Sequence, residues 1–119
     1  MKTLNDNLKE ILTLDGAMCV GLVDANSGML LGAAGSGVDM EVAAAGNTEV
    51  VRAKLKTIEA LKLSDAIEDI LITLGRQYHI IRPLPQKPGL FLYCVLDKVR
   101  SNLALARRKI ADIGPMILL

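Results

Sequence analysis

The chain has 119 residues, a formal net charge of +1, and a composition that is 51% hydrophobic and only 3% aromatic. This length suits one domain, which we expect to span residues 1–119, and the charge lacks the basic excess typical of nucleic-acid-binding proteins. The N-terminal residues lack the features of a signal peptide, and no apolar run approaches the length of a membrane span. We therefore expect a soluble, cytoplasmic protein that neither inserts into a membrane nor binds nucleic acid.

The first predicted elements are a short amphipathic helix and a β-hairpin. Thr3 and Asp6 form a capping-box pattern, and leucines and isoleucine follow at helical spacing. Residues 17–23 form an almost unbroken apolar run, typical of a strand buried on both faces, and residues 29–33 return as the second strand. The residues between them favour a tight turn with a positive φ: Asp24, Asn26, Ser27 and Gly28.

A long helix is predicted over residues 40–63, with Ser36 or Asp39 as its N-cap. One stripe along this helix carries no charge and comprises Met40, Ala44, Asn47, Val51, Leu55 and Ile58. Gly46 lies near the middle of the helix, where glycine costs about 1 kcal/mol relative to alanine. Its presence suggests that another backbone, such as a crossing helix, comes close at this position.

Three strands and a final helix complete the chain. The strands are predicted over residues 67–74, 77–82 and 90–96. A two-residue turn at Gly75 joins the first two, and a proline-rich loop that begins at Pro83 and cannot join a ladder precedes the third. Asp97 is predicted to cap the last helix, whose apolar stripe begins at Val99, and the apolar tail 116–119 is expected to pack against the domain. This order of elements indicates an α/β chain of the α+β type, with one largely antiparallel sheet.

The chemically reactive residue types form no catalytic pattern. His79 is the only histidine, and no nucleophile or orienting acid can be assigned around it. Cys19 and Cys94 lie in apolar strands and are interpreted as reduced packing residues, with a redox switch as the less favoured alternative. Gly35 occupies the position where a calcium loop would need its glutamate, and the glycines before the long helix match no nucleotide fingerprint. We therefore predict no catalytic residue, no cofactor and no metal, and hence no enzyme.

A basic group on the last helix is interpreted as a solvated face rather than as a nucleic-acid site. It comprises Arg100, Arg107, Arg108 and Lys109.

The chain resembles a roadblock / dynein light chain family domain over essentially its whole length. The resemblance lies in the VGLVDANSGMLLGAA hairpin, the long helix after it, and the meander from ILITLGRQYHIIRPL to LFLYCVLD. It implies a five-stranded sheet of order 2-1-5-4-3, with the first and last helices on one face and the long helix on the other. In that order, Cys19 and Cys94 would lie on neighbouring strands.

The resemblance also implies a homodimer, in which the third strands pair across a two-fold axis and the long helices lie side by side. The sequence fits this arrangement, because a bare edge strand such as ILITL is an aggregation hazard that self-pairing would remove. Small residues would permit close approach of the two helices, and a buried asparagine could fix their register. The implied dimer interface comprises Ala43, Ala44, Gly46, Asn47, Val51, Ile70, Ile72 and Leu74.

The function implied by the resemblance is that of a non-enzymatic homodimeric adaptor or regulator of a Ras-like small GTPase. Bacterial roadblock-type proteins have this role towards a polarity GTPase. Exposed polar residues of the long helix are the candidates for the partner surface: Glu49, Arg52 and Lys56. The alternative is a small-ligand sensor module with a profilin-like fold, which would use a pocket between the sheet and a helix.

Overall fold

The structure is a computed structural model that describes residues 2–118. Met1 and Leu119, the ends of the predicted domain and tail, lie outside the described residues. The helices are α1 (Leu4–Ile11), α2 (Met40–Ala60) and α3 (Leu103–Ile113), and a short 3-10 turn (Gly114–Met116) follows α3. The strands are β1 (Ala17–Asp24), β2 (Met29–Gly35), β3 (Ile70–Thr73), β4 (Gln77–Pro83) and β5 (Leu90–Asp97).

All five strands form one antiparallel sheet of order β2-β1-β5-β4-β3. β1 and β5 lie at its centre and are buried along most of their length, as their nearly continuous apolar sequences require. β2 and β3 form the two edges. The predicted strand order and the α+β fold class are therefore confirmed.

Each face of the sheet buries its own apolar cluster. On one face, Leu8 and Ile11 of α1 and Ile110 of α3 pack with residues of the central strands. On the other face, Ala44 and Val51 of α2 pack with a separate cluster of strand residues. The predicted placement of the helices, with α1 and α3 on one face and α2 on the other, is confirmed.

The first two helices begin where side chains satisfy their free backbone N–H groups. Thr3 Oγ1 accepts from the Asp6 N–H at 3.1 Å, while Asp6 Oδ2 accepts from the Thr3 N–H at 3.0 Å, so the predicted capping box is confirmed. At the start of α2, the Asp39 carboxylate accepts from the N–H groups of Glu41 and Val42. Of the two predicted N-cap candidates, Asp39 is therefore the one that acts.

The turn between β1 and β2 follows the prediction closely. Asp24 Oδ1 accepts from the Asn26 N–H at 2.8 Å, and the Gly28 N–H donates to the Asp24 carbonyl oxygen at 2.7 Å. Gly28 has a φ of 80°, in the region that favours glycine. Local residue chemistry is therefore sufficient to determine this hairpin.

The last helix begins later than predicted. Asp97 does not cap it, because the Asp97 carboxylate accepts from the N–H groups of Val99 and Arg100 in a turn directly after β5. The N-cap is Asn102, whose side chain accepts from the Leu105 N–H. Val99, the predicted start of the apolar stripe, is 91% exposed in this turn. An aspartate suited to capping has formed a turn of its own instead.

Two other boundaries were also predicted wrongly. β3 covers only Ile70–Thr73 instead of residues 67–74, since Leu74 already lies in the turn, where its N–H donates to the Gln77 carbonyl oxygen. Pro83 was predicted outside the ladder but ends β4, where it pairs with Phe91. Proline is tolerated at such a strand end because its missing N–H removes only one ladder bond.

The long helix packs on the sheet with only its first half. Its buried residues are Ala44, Thr48 and Val51, and the Thr48 hydroxyl donates to the Ala44 carbonyl oxygen at 2.7 Å. Leu55, which the predicted stripe places on the inner face, is 49% exposed. α2 ends at Ala60 rather than at residue 63, and Lys62 follows with a left-handed φ of 55°. The part of α2 beyond Val51 therefore extends past the region of the sheet that it covers.

Candidate functional site

The outer side of α2 and the free edge of β3 together form an exposed apolar surface. We call it the α2–β3 surface and define it by the exposed Val50 and Ala53 of α2 and the partly buried Ile70 of β3, which share one groove. This groove has a volume of about 490 Å³ and runs between the two elements. Exposed apolar side chains grouped in this way are typical of a protein–protein contact.

The free edge of β3 is the backbone part of this surface. β3 pairs with β4 on one side, and its other side has no strand partner within residues 2–118. Ile70 and Ile72 direct their side chains to the α2-side core, where they are partly buried. An apolar edge strand of this kind presents unpaired N–H and C=O groups to another strand.

The predicted interface residues of α2 occupy two different environments. Ala44 and Val51 are buried against the sheet of their own chain, whereas Ala43 and Asn47 are partly exposed. Gly46 is exposed, and none of residues 2–118 comes within 4 Å of the position that a Cβ would occupy there. Within that range no element crosses α2 at Gly46, and the space above it is open to a second helix.

The three predicted partner-surface residues all lie on the exposed part of α2. Glu49 and Lys56 are exposed to solvent. Arg52 is also exposed, but its Nη2 donates to the Asn26 carbonyl oxygen in the β1–β2 turn. Arg52 thus connects α2 to the hairpin in addition to contributing to the surface.

Beneath α2, a row of polar side chains crosses the sheet. We call it the polar row, and it comprises Asn47, Tyr93, His79, Gln77 and Met18. The Tyr93 hydroxyl lies 2.9 Å from His79 Nδ1, and His79 Nε2 lies 2.8 Å from Gln77 Oε1. Gln77 Nε2 donates to Met18 Sδ at 3.8 Å, and Asn47 hydrogen-bonds to the Tyr93 side chain. The rings of His79 and Tyr93 meet edge to face at a centroid distance of 5.5 Å.

Burial keeps the titratable groups of this row uncharged near neutral pH. It lowers the pKa of the His79 imidazole and raises the pKa of the Tyr93 hydroxyl, an effect that the hydrogen bond from Asn47 partly opposes. The sequence alone identifies His79 as the single histidine but does not identify its partners. The available signal was the strand periodicity, which places Gln77 and His79, two residues apart, on the same face.

The two cysteines lie on neighbouring strands but on opposite faces of the sheet. Cys94 pairs across the ladder with Val20, and Cys19 pairs with Val95. Cys19 belongs to the α2-side cluster and Cys94 to the cluster beneath α1 and α3. Both thiols are free and buried, and burial raises the pKa of Cys94 to about 12. Their assignment as buried packing residues is confirmed, and their positions on opposite faces of the sheet do not suit a disulfide between them.

A pocket of about 360 Å³ opens at one end of the sheet, beside the exposed half of α2. Its lining is almost entirely apolar and includes Val51, Leu55, Ile67 and Phe91, with Asp65 as its one carboxylate. The size and lining are within the range of small-ligand pockets.

All three basic side chains of α3 lie near carboxylates, whereas Arg100, predicted on the same helix, lies in the turn before it. Arg107 forms two hydrogen bonds to Asp69, at 2.8 and 2.9 Å, which connect α3 to the residue before β3. Arg108 lies 3.5 Å from Asp112, and Lys109 lies 3.7 Å from Glu10.

Residues 2–118 contain no group of three or more acidic, cysteine or histidine side chains able to hold a metal ion. Over the same range, no helix is both long and apolar enough to cross a bilayer.

The fold is that of roadblock domains. The structure of Myxococcus xanthus MglB superposes with a TM-score of 0.81 at 19% identity, covering 92% of this chain and 87% of that one. A Roadblock/LC7 domain from Streptomyces avermitilis gives a TM-score of 0.83 at 10% identity, covering 97% and 94%. The gliding protein MglB from Thermus thermophilus gives 0.71 at 17% identity, covering 93% and 87%. No family model and no curated protein sequence matches the chain.

Proposed function

We propose that this chain, which has the roadblock fold, acts as a non-enzymatic homodimeric regulator or adaptor of a Ras-like small GTPase. The observation that carries the proposal is the α2–β3 surface, where an unpaired apolar edge strand adjoins an exposed helix face. The structural likeness to MglB from two bacteria supports the same conclusion. The family resemblance supplies the class of partner, and the absence of an assignable acid, base and nucleophile in the sequence argues for a binding role.

In the proposed dimer, the free edges of two β3 strands pair antiparallel across a two-fold axis. This pairing satisfies the exposed backbone groups of both strands and joins the two sheets into one. The two α2 helices then lie side by side over the joined sheet, and Gly46 allows their backbones to approach closely because its outer side is open. Asn47 lies one residue further along, where a polar side chain can fix the helix register.

A dimer of this kind presents two copies of the exposed half of α2 on one side of the joined sheet. Glu49 and Lys56 remain exposed there and are the proposed contacts to the GTPase. Regulation does not require this chain to provide a catalytic group. Contacts that reposition the switch segments of the GTPase are enough to change its rate of hydrolysis.

The dimer is tested by the solution mass, which light scattering measures against a monomer mass of 12.8 kDa. The unmodified chain should have twice the monomer mass. Ile72→Lys should have the monomer mass, because it places a charge on the edge strand, where Ile72 is only partly buried and would adjoin the partner strand. Leu105→Lys is the matched control, since Leu105 is an exposed leucine on α3, away from the α2–β3 surface. A monomeric unmodified chain, or an Ile72→Lys variant that remains dimeric, would refute the interface.

The GTPase partner is tested separately, by measuring binding and GTP hydrolysis with Ras-like GTPases from the same genome. Glu49→Ala and Lys56→Ala should weaken the complex while leaving the dimer mass unchanged. If every GTPase fails to bind a chain that is dimeric, the partner assignment is wrong although the interface stands.

The apolar pocket supports a second candidate function, that of a small-ligand sensor. Its ligand would be a compact apolar molecule that fits about 360 Å³. A melting-temperature screen with such compounds tests this candidate, because a ligand that binds only the folded state raises the melting temperature. Leu55→Glu, which places a charge in the pocket lining, should abolish the shift. If no compound raises the melting temperature, the small-ligand function is refuted and the GTPase role remains as the proposed function.

A further inference from the structure

The polar row contains a histidine that the proposed function does not use. Because Gln77 Nε2 donates to Met18 Sδ, the Gln77 Oε1 is the atom that faces His79 Nε2. His79 Nε2 therefore carries the proton of the neutral ring and donates, which leaves Nδ1 to accept from the Tyr93 hydroxyl. When His79 is neutral, the hydrogen bonds of the row therefore all run the same way: each group donates to the next, from Asn47 at one end to Met18 at the other.

The row connects α2 to the edge hairpin. At one end, Asn47 of α2 donates to the Tyr93 oxygen, a bond that lowers the pKa of the Tyr93 hydroxyl. At the other side, His79 is the ladder partner of Ile72 in β3. The protonation state of this one ring is therefore linked to both elements of the α2–β3 surface.

Protonation removes the acceptor on which this direction depends. With a proton on Nδ1, the ring has two donors and no acceptor. Tyr93 must then turn its hydroxyl hydrogen away from His79 and towards Asn47, and Asn47 must offer its carbonyl oxygen in place of its amide. The Asn47–Tyr93 hydrogen bond between α2 and the sheet has to be remade in the opposite direction, beside a partly buried cation.

No charged side chain compensates for a cation at this position within the described residues. Burial lowers the pKa of His79, and no charged group contributes to the shift. The titratable neighbours on this face are Tyr93 of β5 and Cys19 of β1, and burial raises the pKa of both, so they remain neutral. α2 presents Asn47, β3 presents Ile72, and β4 itself presents Gln77, none of which titrates.

The nearest acidic residue along the row is occupied elsewhere. Asp97 is the ladder partner of Gln77, at the far end of the row from α2. Its Oδ1 accepts from the N–H groups of Val99 and Arg100 in the turn after β5. The Asp97 carboxylate therefore stabilises the turn and does not compensate a charge on the His79 imidazole.

We propose that His79 makes the packing of α2 on the sheet sensitive to pH, with α2 held firmly when the ring is neutral and loosened when it is protonated. The ordinary pKa of histidine is 6.5, and burial lowers it in the folded chain. The contribution of His79 to stability is therefore fully present above that ordinary value and is lost as the pH falls through the lower, folded-state pKa. This inference is independent of the GTPase proposal.

The test begins with an NMR titration, which is unambiguous because the sequence contains one histidine. The His79 ring signals should give a folded-state pKa below 6.5. At pH values above this pKa, the chemical shift of Nδ1 should be typical of a hydrogen-bond acceptor. Tyr93→Phe, which removes the hydroxyl donor, should raise this pKa towards the ordinary value. A folded-state pKa at or above the ordinary value would overturn the proposal.

Amide hydrogen exchange then measures the packing of α2 directly, after correction for intrinsic exchange rates. Between about pH 7.5 and about pH 5, protection of the amides of residues 44–51 should fall tenfold for each unit of pKa depression, up to about 30-fold. This window lies above the ordinary pKa values of aspartate and glutamate, 3.8 and 4.5, so carboxylates contribute little to the change.

His79→Gln is the decisive variant, because glutamine can hydrogen-bond in the row but does not titrate. Its α2 protection should be independent of pH across the same window, while the unmodified chain loses protection. Equal losses in both proteins, or no loss in the unmodified chain, would overturn the proposal. If His79→Gln fails to fold, Tyr93→Phe takes its place: a raised pKa should shrink the pH-dependent loss by the matching factor, and an unchanged loss would refute the inference.

Discussion

Replacement of Asn7 by leucine should stabilise the protein. Asn7 lies in α1 and is only 1% exposed, and both its side-chain nitrogen and its oxygen are buried without a hydrogen-bond partner in the described part of the chain. Its neighbours Leu8 and Ile11 belong to the apolar cluster beneath α1 and α3. The amide is withdrawn from bulk solvent and forms no hydrogen bond with residues 2–118, which is unfavourable for a polar group.

The size of the effect follows from the burial of that amide. Leaving a buried polar group unsatisfied costs about 1–3 kcal/mol. Leucine has the same number of side-chain heavy atoms and the same branch at Cγ, and its larger methyl groups offset part of the gain, so Asn7→Leu should raise the free energy of unfolding by about 1–2 kcal/mol. For a domain of this size, that corresponds to a rise in melting temperature of roughly 4–10 °C.

The assay is urea denaturation of Asn7→Leu beside a control in the same helix. Leucine also has the higher helix propensity, worth a few tenths of a kcal/mol, roughly 0.3 to 0.5. Asn5→Leu separates this effect, since Asn5 lies in α1 but is exposed. Asn7→Leu should exceed Asn5→Leu by at least about 1 kcal/mol. Equal effects, or a loss of stability in Asn7→Leu, would show that the buried amide has a partner and that the reasoning is wrong.

Three further changes test other features of the fold. Gly35→Ala should destabilise the chain by about 1–3 kcal/mol in thermal denaturation, because Gly35 has a φ of 83° and a Cβ there would collide with the Met18 carbonyl oxygen; a neutral effect would contradict this. Arg107→Ala should speed amide exchange in β3, since it leaves the Asp69 carboxylate, whose side chain is 10% exposed, without its ion pair; unchanged exchange would show that β3 does not depend on this pair. Thiol titration at about pH 8 should find no reactive cysteine until denaturant is added, as burial raises the pKa of Cys94 to about 12; fast reaction in the native chain would argue against the buried position.

The sequence alone determined the elements that depend on neighbouring residues. The capping box of α1 and the turn between β1 and β2 need only side chains within four positions of each other, so both can be predicted from the sequence. The central strands could also be predicted from the sequence, because burial on both faces requires uninterrupted apolar runs. The strand order came from the resemblance to a known family, since no local rule orders five strands.

Where the local sequence was compatible with more than one structure, the tertiary structure determined which of them formed. Asp97 and Asn102 are both good helix caps, and only the path of the chain after β5 commits Asp97 to a turn. Leu55 has the helical spacing of a core residue, yet it is exposed because α2 extends beyond the region of the sheet that it covers. The period of a helix predicts which side faces inward but not how far the neighbouring sheet reaches.

The candidate site shows the same division. The apolar edge strand and Gly46 of the α2–β3 surface could be identified from the sequence. An apolar strand at a sheet edge needs a partner strand, and a glycine within a helix suggests that another backbone comes close. The polar row could not be identified in this way, because Asn47, His79 and Tyr93 come from three elements and meet only when α2 settles on the sheet. Spacing along a chain cannot reveal contacts between distant residues, and the chemistry of this row therefore exists only in the folded protein.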